Sequence, residues 1–370
     1  MKYLQYIILF FLFTGCIEEY TPTGIEEVSD LLVIEGTITD NESIFILSRS
    51  VGLSDTLVAG QNAVNNAHVY VEKDNGELLS GALTANGTYT VPTGILDKEA
   101  KYRFYAVVDG EEYRSEFLSP LFTPDIDELE LIKKDSGEPV YVCVSTHDPA
   151  DQSRYYLWSF RETWEVKAEL FANYGLLDGV FDYFSLTTPR NTYYCWGRNN
   201  SKTMLLGSSE KLSENLIYQK RLVEMNCSDN RISVLYYIKV KQIQIRKEAY
   251  DYYFNIQKNV DESGSIFAPV PSEMKGNIRA VSNPDLPVIG YIDVSTTTEK
   301  ELFHDGIGFY ESPKKFCGFQ ITSDPEYAYP VYGYYQVSMM SVDYAPFKCV
   351  DCRLNGGTKD RPDFWPNDHL

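Results

Sequence analysis

The stretch Tyr102-Arg103-Phe104-Tyr105-Ala106-Val107-Val108 alternates with period two and runs into Asp109-Gly110. Such alternation puts every second side chain on one face of a strand. Asp-Gly suits a tight turn whose central residues need positive φ, so this stretch predicts a hairpin with Tyr113 to Phe117 as the return strand. Outward from it, Leu31 to Ile38 (LLVIEGTI) and Ser43 to Ser50 (SIFILSRS) read as strands parted by Asp40-Asn41. Ala67 to Val71 (AHVYV) alternates and is followed by a turn at Asp74-Asn75-Gly76, and Gly87 to Val91 (GTYTV) is a further short strand. Short strands separated by turns, without helical period, predict a β-sandwich over residues 28–122.

The order A-x-V-x-V, turn, G-x-Y, Y-x-F, D-G, Y-x-S resembles the immunoglobulin-like or transthyretin-like modules of carboxypeptidase regulatory domains. That resemblance implies a spacer or binding scaffold. Pro120-Leu121-Phe122-Thr123-Pro124 reads as a border, since its prolines discourage a strand from running through. Residues 125–370 read as a larger, mostly-β domain. Val140 to Val144 and Arg154 to Lys167 are predicted strands. Ser233 to Arg246 is a long strand whose apolar residues change phase from Ile238 and Val240 to Ile243 and Ile245, which predicts a bulge or twist near Lys241-Gln242. Ala249, Tyr252, Tyr253, Ile256 and Val260 then fall at helical spacing, predicting a helix over 247–262 that Gly264 can end. Val288 to Val294 and Val331 to Val342 are later strands. The expected fold class is mainly β, with the sandwich followed by the larger domain and at least one packed helix.

Ahead of these elements, Tyr3 to Phe13 is apolar, Lys2 precedes it, and Leu12-Phe13-Thr14-Gly15-Cys16 closes it. The run is shorter than the roughly 20 residues a membrane-spanning helix needs. It resembles a bacterial lipoprotein processing site. The resemblance implies a signal peptide over residues 1–15 and fatty acylation of Cys16, palmitate being a typical chain. Residues 16–27 are then an acidic tether. In Bacteroidota lipoproteins, acids placed like Glu18 and Glu19 resemble a signal for the outer face of the outer membrane, the alternative being a merely solvated tether. The expected location is therefore the outer membrane, lipid-anchored and facing the exterior.

The 370 residues carry 33 Lys and Arg against 53 Asp and Glu, a net charge of -20. Phosphate backbones would be repelled, so nucleic acid is not an expected partner. Six cysteines follow the leader: Cys143, Cys195, Cys227, Cys317, Cys349 and Cys352. An even count in an exported chain points to disulfides, and sequence alone leaves their connectivity open. Cys195 with Cys227 is the preferred bridge, because strand-like segments flank both within one local unit. Cys349-Val350-Asp351-Cys352 has the spacing of a zinc half-site or a redox pair. Zinc needs two further ligands, no second C-x-x-C exists, and the histidines are only His68, His147, His304 and His369. Disulfides are thus favoured, and neither metal nor cofactor is expected.

Catalytic motifs are absent from the sequence: it contains no H-E-x-x-H, G-x-S-x-G or G-x-x-x-x-G-K. Asp125 with Asp127 and Glu162 with Glu165 are carboxylate pairs, but an offset of three places Glu162 and Glu165 on opposite strand faces. Solvated or hydrogen-bonded carboxylates are the simpler reading, and no enzyme is expected. Tyr327, Tyr329, Tyr332 and Tyr334 are a candidate aromatic platform for a sugar or peptide, with strand packing the ordinary alternative. Trp158 and Trp164 share a strand face and read as core.

Further motifs are V-x-E-G-x-I-T-D (Val33 to Asp40), Y-Y-L-W-S-F-R-E-T-W-E (Tyr155 to Glu165), E-A-Y-D-Y-Y (Glu248 to Tyr253), G-S-I-F (Gly264 to Phe267), G-N-I (Gly276 to Ile278) and V-I-G-Y (Val288 to Tyr291). The tail Cys349 to Trp365 (CVDCRLNGGTKDRPDFW) joins them. With the leader, they resemble the Bacteroidota lipoprotein family catalogued as domain of unknown function 4249. Its genes often sit beside TonB-dependent outer-membrane transporters, which implies a non-catalytic accessory that captures ligand or gates transport. The other readings are a structural adhesin or matrix- or glycan-binding surface module, and a hydrolase with an unrecognised site.

Overall fold

In the computed structural model the described residues are 30–51, 60–172, 174–177, 180–183, 192–262, 276–312, 317, 332–338 and 341–366. Cys16, with its leader and tether, lies outside them, as do Tyr327 and Tyr329. The chain is mainly β, as the alternation predicts. Val108 of Tyr102–Val108 stands opposite Glu111 of Glu111–Ser115, so Asp109 and Gly110 make the whole turn. Both have positive φ, 52° and 85°, the backbone of a tight hairpin turn that glycine adopts at no steric cost.

Tyr102–Val108 is the middle of a five-stranded sheet ordered Ile278–Ala280, Glu111–Ser115, Tyr102–Val108, His68–Lys73, Leu78–Ser80. It shares its core with a second five-stranded sheet ordered Val288–Ile289, Leu32–Gly36, Asn41–Arg49, Thr88–Gly94, Ala82–Ala85. Ile34, Phe45, Leu47 and Val91 meet Val69, Val71, Phe104 and Ala106. The rings of Phe45 and Phe104 sit edge to face, with centroids 4.9 Å apart.

Two strands of this sandwich come from far along the chain. Ile278–Ala280 adds antiparallel to Glu111–Ser115, and Val288–Ile289 runs parallel to Leu32–Gly36. Ile278, Ala280, Val288, Ile292 and Val294 belong to its core. The core expected from residues 28–122 is therefore closed by residues 278–294.

Past the proline border, Leu216–Met225, Val140–His147 and Ile126–Ile132 form a three-stranded sheet. It packs on a sheet ordered Tyr194–Asn200, Tyr155–Lys167, Leu235–Gln244, Thr297–His304, with Leu205–Ser208 also paired to Tyr155–Lys167. Val140, Val142, Val144, Trp158, Tyr236, Ile238 and Val240 fill the space between. Of the bulge or twist expected near Lys241-Gln242, the bulge is not formed, because Leu235–Gln244 keeps an unbroken register with both neighbours. The apolar phase changes because the cover changes. Ile243 faces the helix Lys247–Glu262 together with Tyr155, Ala249 and Tyr252. Gln242 keeps the inward phase, where its Oε1 accepts from Trp158 Nε1 at 2.8 Å and its Nε2 donates to Pro124 O at 2.9 Å. The helix spans the residues its spacing predicts.

Arg246, just before that helix, ties the two sandwiches together. Its guanidinium pairs with the buried Asp293 and donates to Ser119 O, and its backbone N–H donates to Asp293 at 2.8 Å. Burial pushes the Asp293 carboxyl above the usual carboxylate range, and Arg246 opposes that shift. A further sheet is ordered Val180–Tyr183, Tyr174–Leu177, Tyr332–Ser338, Ser341–Pro346. Among the described residues no helix is long and apolar enough to cross a membrane.

Candidate ligand-binding site

Tyr194–Asn200 is the edge of the second sandwich's larger sheet, and the C-terminal tail is fastened to it. Cys195 is bonded to Cys352, and Cys317 to Cys349. The expected Cys195–Cys227 bridge does not form, and Cys227 and Cys143 are free thiols. Local sequence misleads here because the sheet changes between them. Cys195 lies beside Val166 on the larger sheet, whereas Cys227 follows Leu216–Met225 of the opposite sheet. The cysteines of C-V-D-C thus bond neither each other nor a shared metal; each takes a distant partner.

From Cys352 the tail turns through Cys352–Asn355 and runs along the edge strand. Trp196 N–H donates to Thr358 O at 2.8 Å, and Thr358 N–H donates back to Trp196 O at 2.9 Å. Lys359 Nζ donates to Tyr194 O at 2.7 Å. Backbone groups that an open edge would leave unpaired are covered in this way.

Opposed residues in a sheet share a face, so the register assigns two faces. Glu165, Trp196 and Leu235 lie on the outer one, as do Tyr237 and Phe303. Phe364 and Trp365 of the tail fold over it. The Tyr237 ring stands 4.6 Å from Phe303 and 4.7 Å from Phe364, centroid to centroid. Trp365 Nε1 donates to Glu165 at 2.7 Å, which gives that buried carboxylate a partner. A cleft of about 620 Å³ opens here, lined by Tyr194, Leu235, Phe303, Asp305, Phe364 and Pro366. Phe303 and Phe364 remain 40% and 54% exposed, so concave aromatic surface is left wet. Burial, then the hydrogen bond to Glu301, raises the Tyr237 hydroxyl, which therefore stays neutral and donates to Glu301 at 2.7 Å.

Glu162, Trp164, Gly197 and Asn199 lie on the inner face, beyond the core. A Cβ at position 197 would lie 2.2 Å from the Trp164 ring, so only glycine lets the indole rest against this strand. Glu162 is 1% exposed. It accepts from Tyr236 Oη at 2.6 Å, Asn199 Nδ2 at 2.8 Å and Arg231 Nη1 at 3.0 Å. Burial, reinforced by the Glu162 charge, pushes the Tyr236 hydroxyl up. Arg231 also pairs with Asp229 at 2.9 Å. A cleft of about 350 Å³ lies over these groups, lined by Trp164, Asn199, Asp229, Asn230, Arg231 and Asn355.

The remaining sequence candidates fall as follows. Asp127 meets His147 Nδ1 at 2.8 Å, and Asp125 is exposed. Glu162 and Glu165 do take opposite faces, but both are buried and hydrogen-bonded rather than solvated. Trp158 is core, whereas Trp164 is half-buried at the inner cleft. Tyr332 and Tyr334 are on Tyr332–Ser338, where Tyr334 stands opposite Tyr174 and Tyr344. Among the described residues no His, Cys, Asp and Glu group is placed to hold a metal ion. Sequence reasoning missed Tyr194, Phe303 and Phe364 as a group; the only signal was the Phe364-Trp365 pair in the tail.

The family model for a domain of unknown function, DUF4249, matches residues 17–301. No curated protein matches the chain. Among solved structures, a DUF4785 family protein from Legionella pneumophila aligns at 11% identity with a TM-score of 0.16. That alignment covers 58% of this chain and 51% of the other, so the chain spans about half of that protein, and so weak a likeness carries no argument.

Proposed function

The chain belongs to the DUF4249 family, and we propose that it is an outer-membrane lipoprotein that captures ligand for a TonB-dependent transporter and performs no chemistry of its own. The leader ending at Cys16 supports the anchor, and the acids after it support a surface location. The observation that carries ligand capture is the outer cleft, where Tyr194, Phe303 and Phe364 present aromatic surface to solvent beside the Asp305 carboxylate. Aromatic walls with few polar groups are the usual make-up of a small-molecule seat. Purification from native membranes in mild detergent tests the reading. A transporter barrel should copurify, and Phe303→Ala with Phe364→Ala should leave that association while abolishing ligand uptake. A protein always recovered alone would contradict it.

A further inference from the structure

We propose that the inner cleft seats a neutral sugar, one ring stacked on Trp164 and its hydroxyls held by the carboxamides of Asn199, Asn230 and Asn355. Asn199 spends one amide hydrogen on Glu162, leaving its second donor and its carbonyl oxygen available. Glu162 is itself held by Tyr236 and Arg231, so this amide is fixed before any ligand arrives. Asn230 stands between Asp229 and Arg231, whose side chains are locked together. Asn355 ends the tail turn that the Cys195–Cys352 bridge holds in place. Among the described residues, neither the Asn230 nor the Asn355 side chain has a hydrogen-bond partner. Unspent amides offer donors and acceptors together, which is what a sugar hydroxyl, itself both, can use.

The charges select against other ligands. Arg231 is neutralised by Glu162 and Asp229, so an anion finds no free positive charge. Both Asp229 oxygens are engaged by Arg231, so a cation finds no open carboxylate. Beside this closed ion cluster, one guanidinium against two carboxylates, the cleft offers a flat indole and three carboxamides in about 350 Å³, toward the lower end of the roughly 300–1,000 Å³ of small-ligand sites. The indole face carries the partial negative charge that attracts sugar C–H groups.

This inference does not depend on a transporter, and its test uses the mature protein alone. Calorimetric titration with maltotriose, cellotriose, xylotriose and chitotriose, with tryptophan fluorescence as a second readout, should find at least one binder at millimolar concentration or below. Asn230→Ala with Asn355→Ala removes two exposed amides and should weaken that binding by about fivefold or more, given about 0.5–1.5 kcal/mol per hydrogen bond. Ile95→Ala, at an exposed position of the first sandwich, should leave it unchanged. Failure of all four sugars to bind, affinity unaltered in the double variant, or binding lost in Ile95→Ala would each overturn the proposal.

Discussion

The two sandwiches solve the same packing problem with different chemistry. The first is held by alternating apolar residues from two sheets, with Ile34, Phe45, Val71 and Phe104 fully enclosed and no disulfide among its described residues. The second also buries Glu162, Glu165 and Gln242, and is stapled to its own tail. Buried ion pairs often add little stability where well-packed apolar residues would serve. Glu162 and Glu165 lie beside two open clefts, on opposite faces of one sheet, and these clefts are where the proposed reading seats ligands.

The sharpest way to break this contrast is to remove one charge from each region. Arg231→Met strands the buried Glu162 and should cost about 3–5 kcal/mol in urea unfolding. Arg103→Met cuts the partly exposed pair with Glu72 and should cost about 1 kcal/mol. Equal losses would erase the distinction. Next, Ile278→Ala should destabilise the first sandwich by about 2–5 kcal/mol, because Ile278 is core there despite its position in sequence. By the same argument, residues 28–122 expressed alone should lack a cooperative melting transition. Cys195→Ala with Cys352→Ala should cost about 2–4 kcal/mol, confined to the second sandwich, and should expose residues 352–366 to protease. The smallest effect is one of pH. Lys133, Gly137 and Ser136 hold the Glu311 carboxyl at about 2, below its ordinary value. A depressed carboxyl contributes stability above its unfolded pKa and loses it as pH falls through the folded value. The wild-type melting temperature should therefore fall more steeply with acid between about pH 4.5 and 2 than that of Glu311→Gln.

The first sandwich was legible because alternation and Asp109-Gly110 are local signals, and so was the helix over Lys247–Glu262. What sequence concealed was non-local. Val288–Ile289 pairs parallel with Leu32–Gly36, a strand more than two hundred residues away; no spacing records that. Ile243 and Gln242 looked like a bulge because the cover of a strand face cannot be read from the strand itself. The site was hidden for the same reason. Glu162 and Trp164 drew notice from the sequence, but Asn199, Arg231 and Asn355 reach them only through sheet pairing and the disulfide. Tyr194, Phe303 and Phe364 likewise come from three separate segments.

The account rests on the tail being fastened across the sheet edge, where it builds both clefts. Peptide mapping of the unreduced protein tests this directly, using a protease that cuts before aspartate so that Asp351 separates Cys349 from Cys352. The account predicts one linked pair containing Cys195 and Cys352, a second containing Cys317 and Cys349, and alkylation of Cys143 and Cys227 in the denatured chain. A linkage of Cys195 to Cys227, or of Cys349 to Cys352, would contradict it.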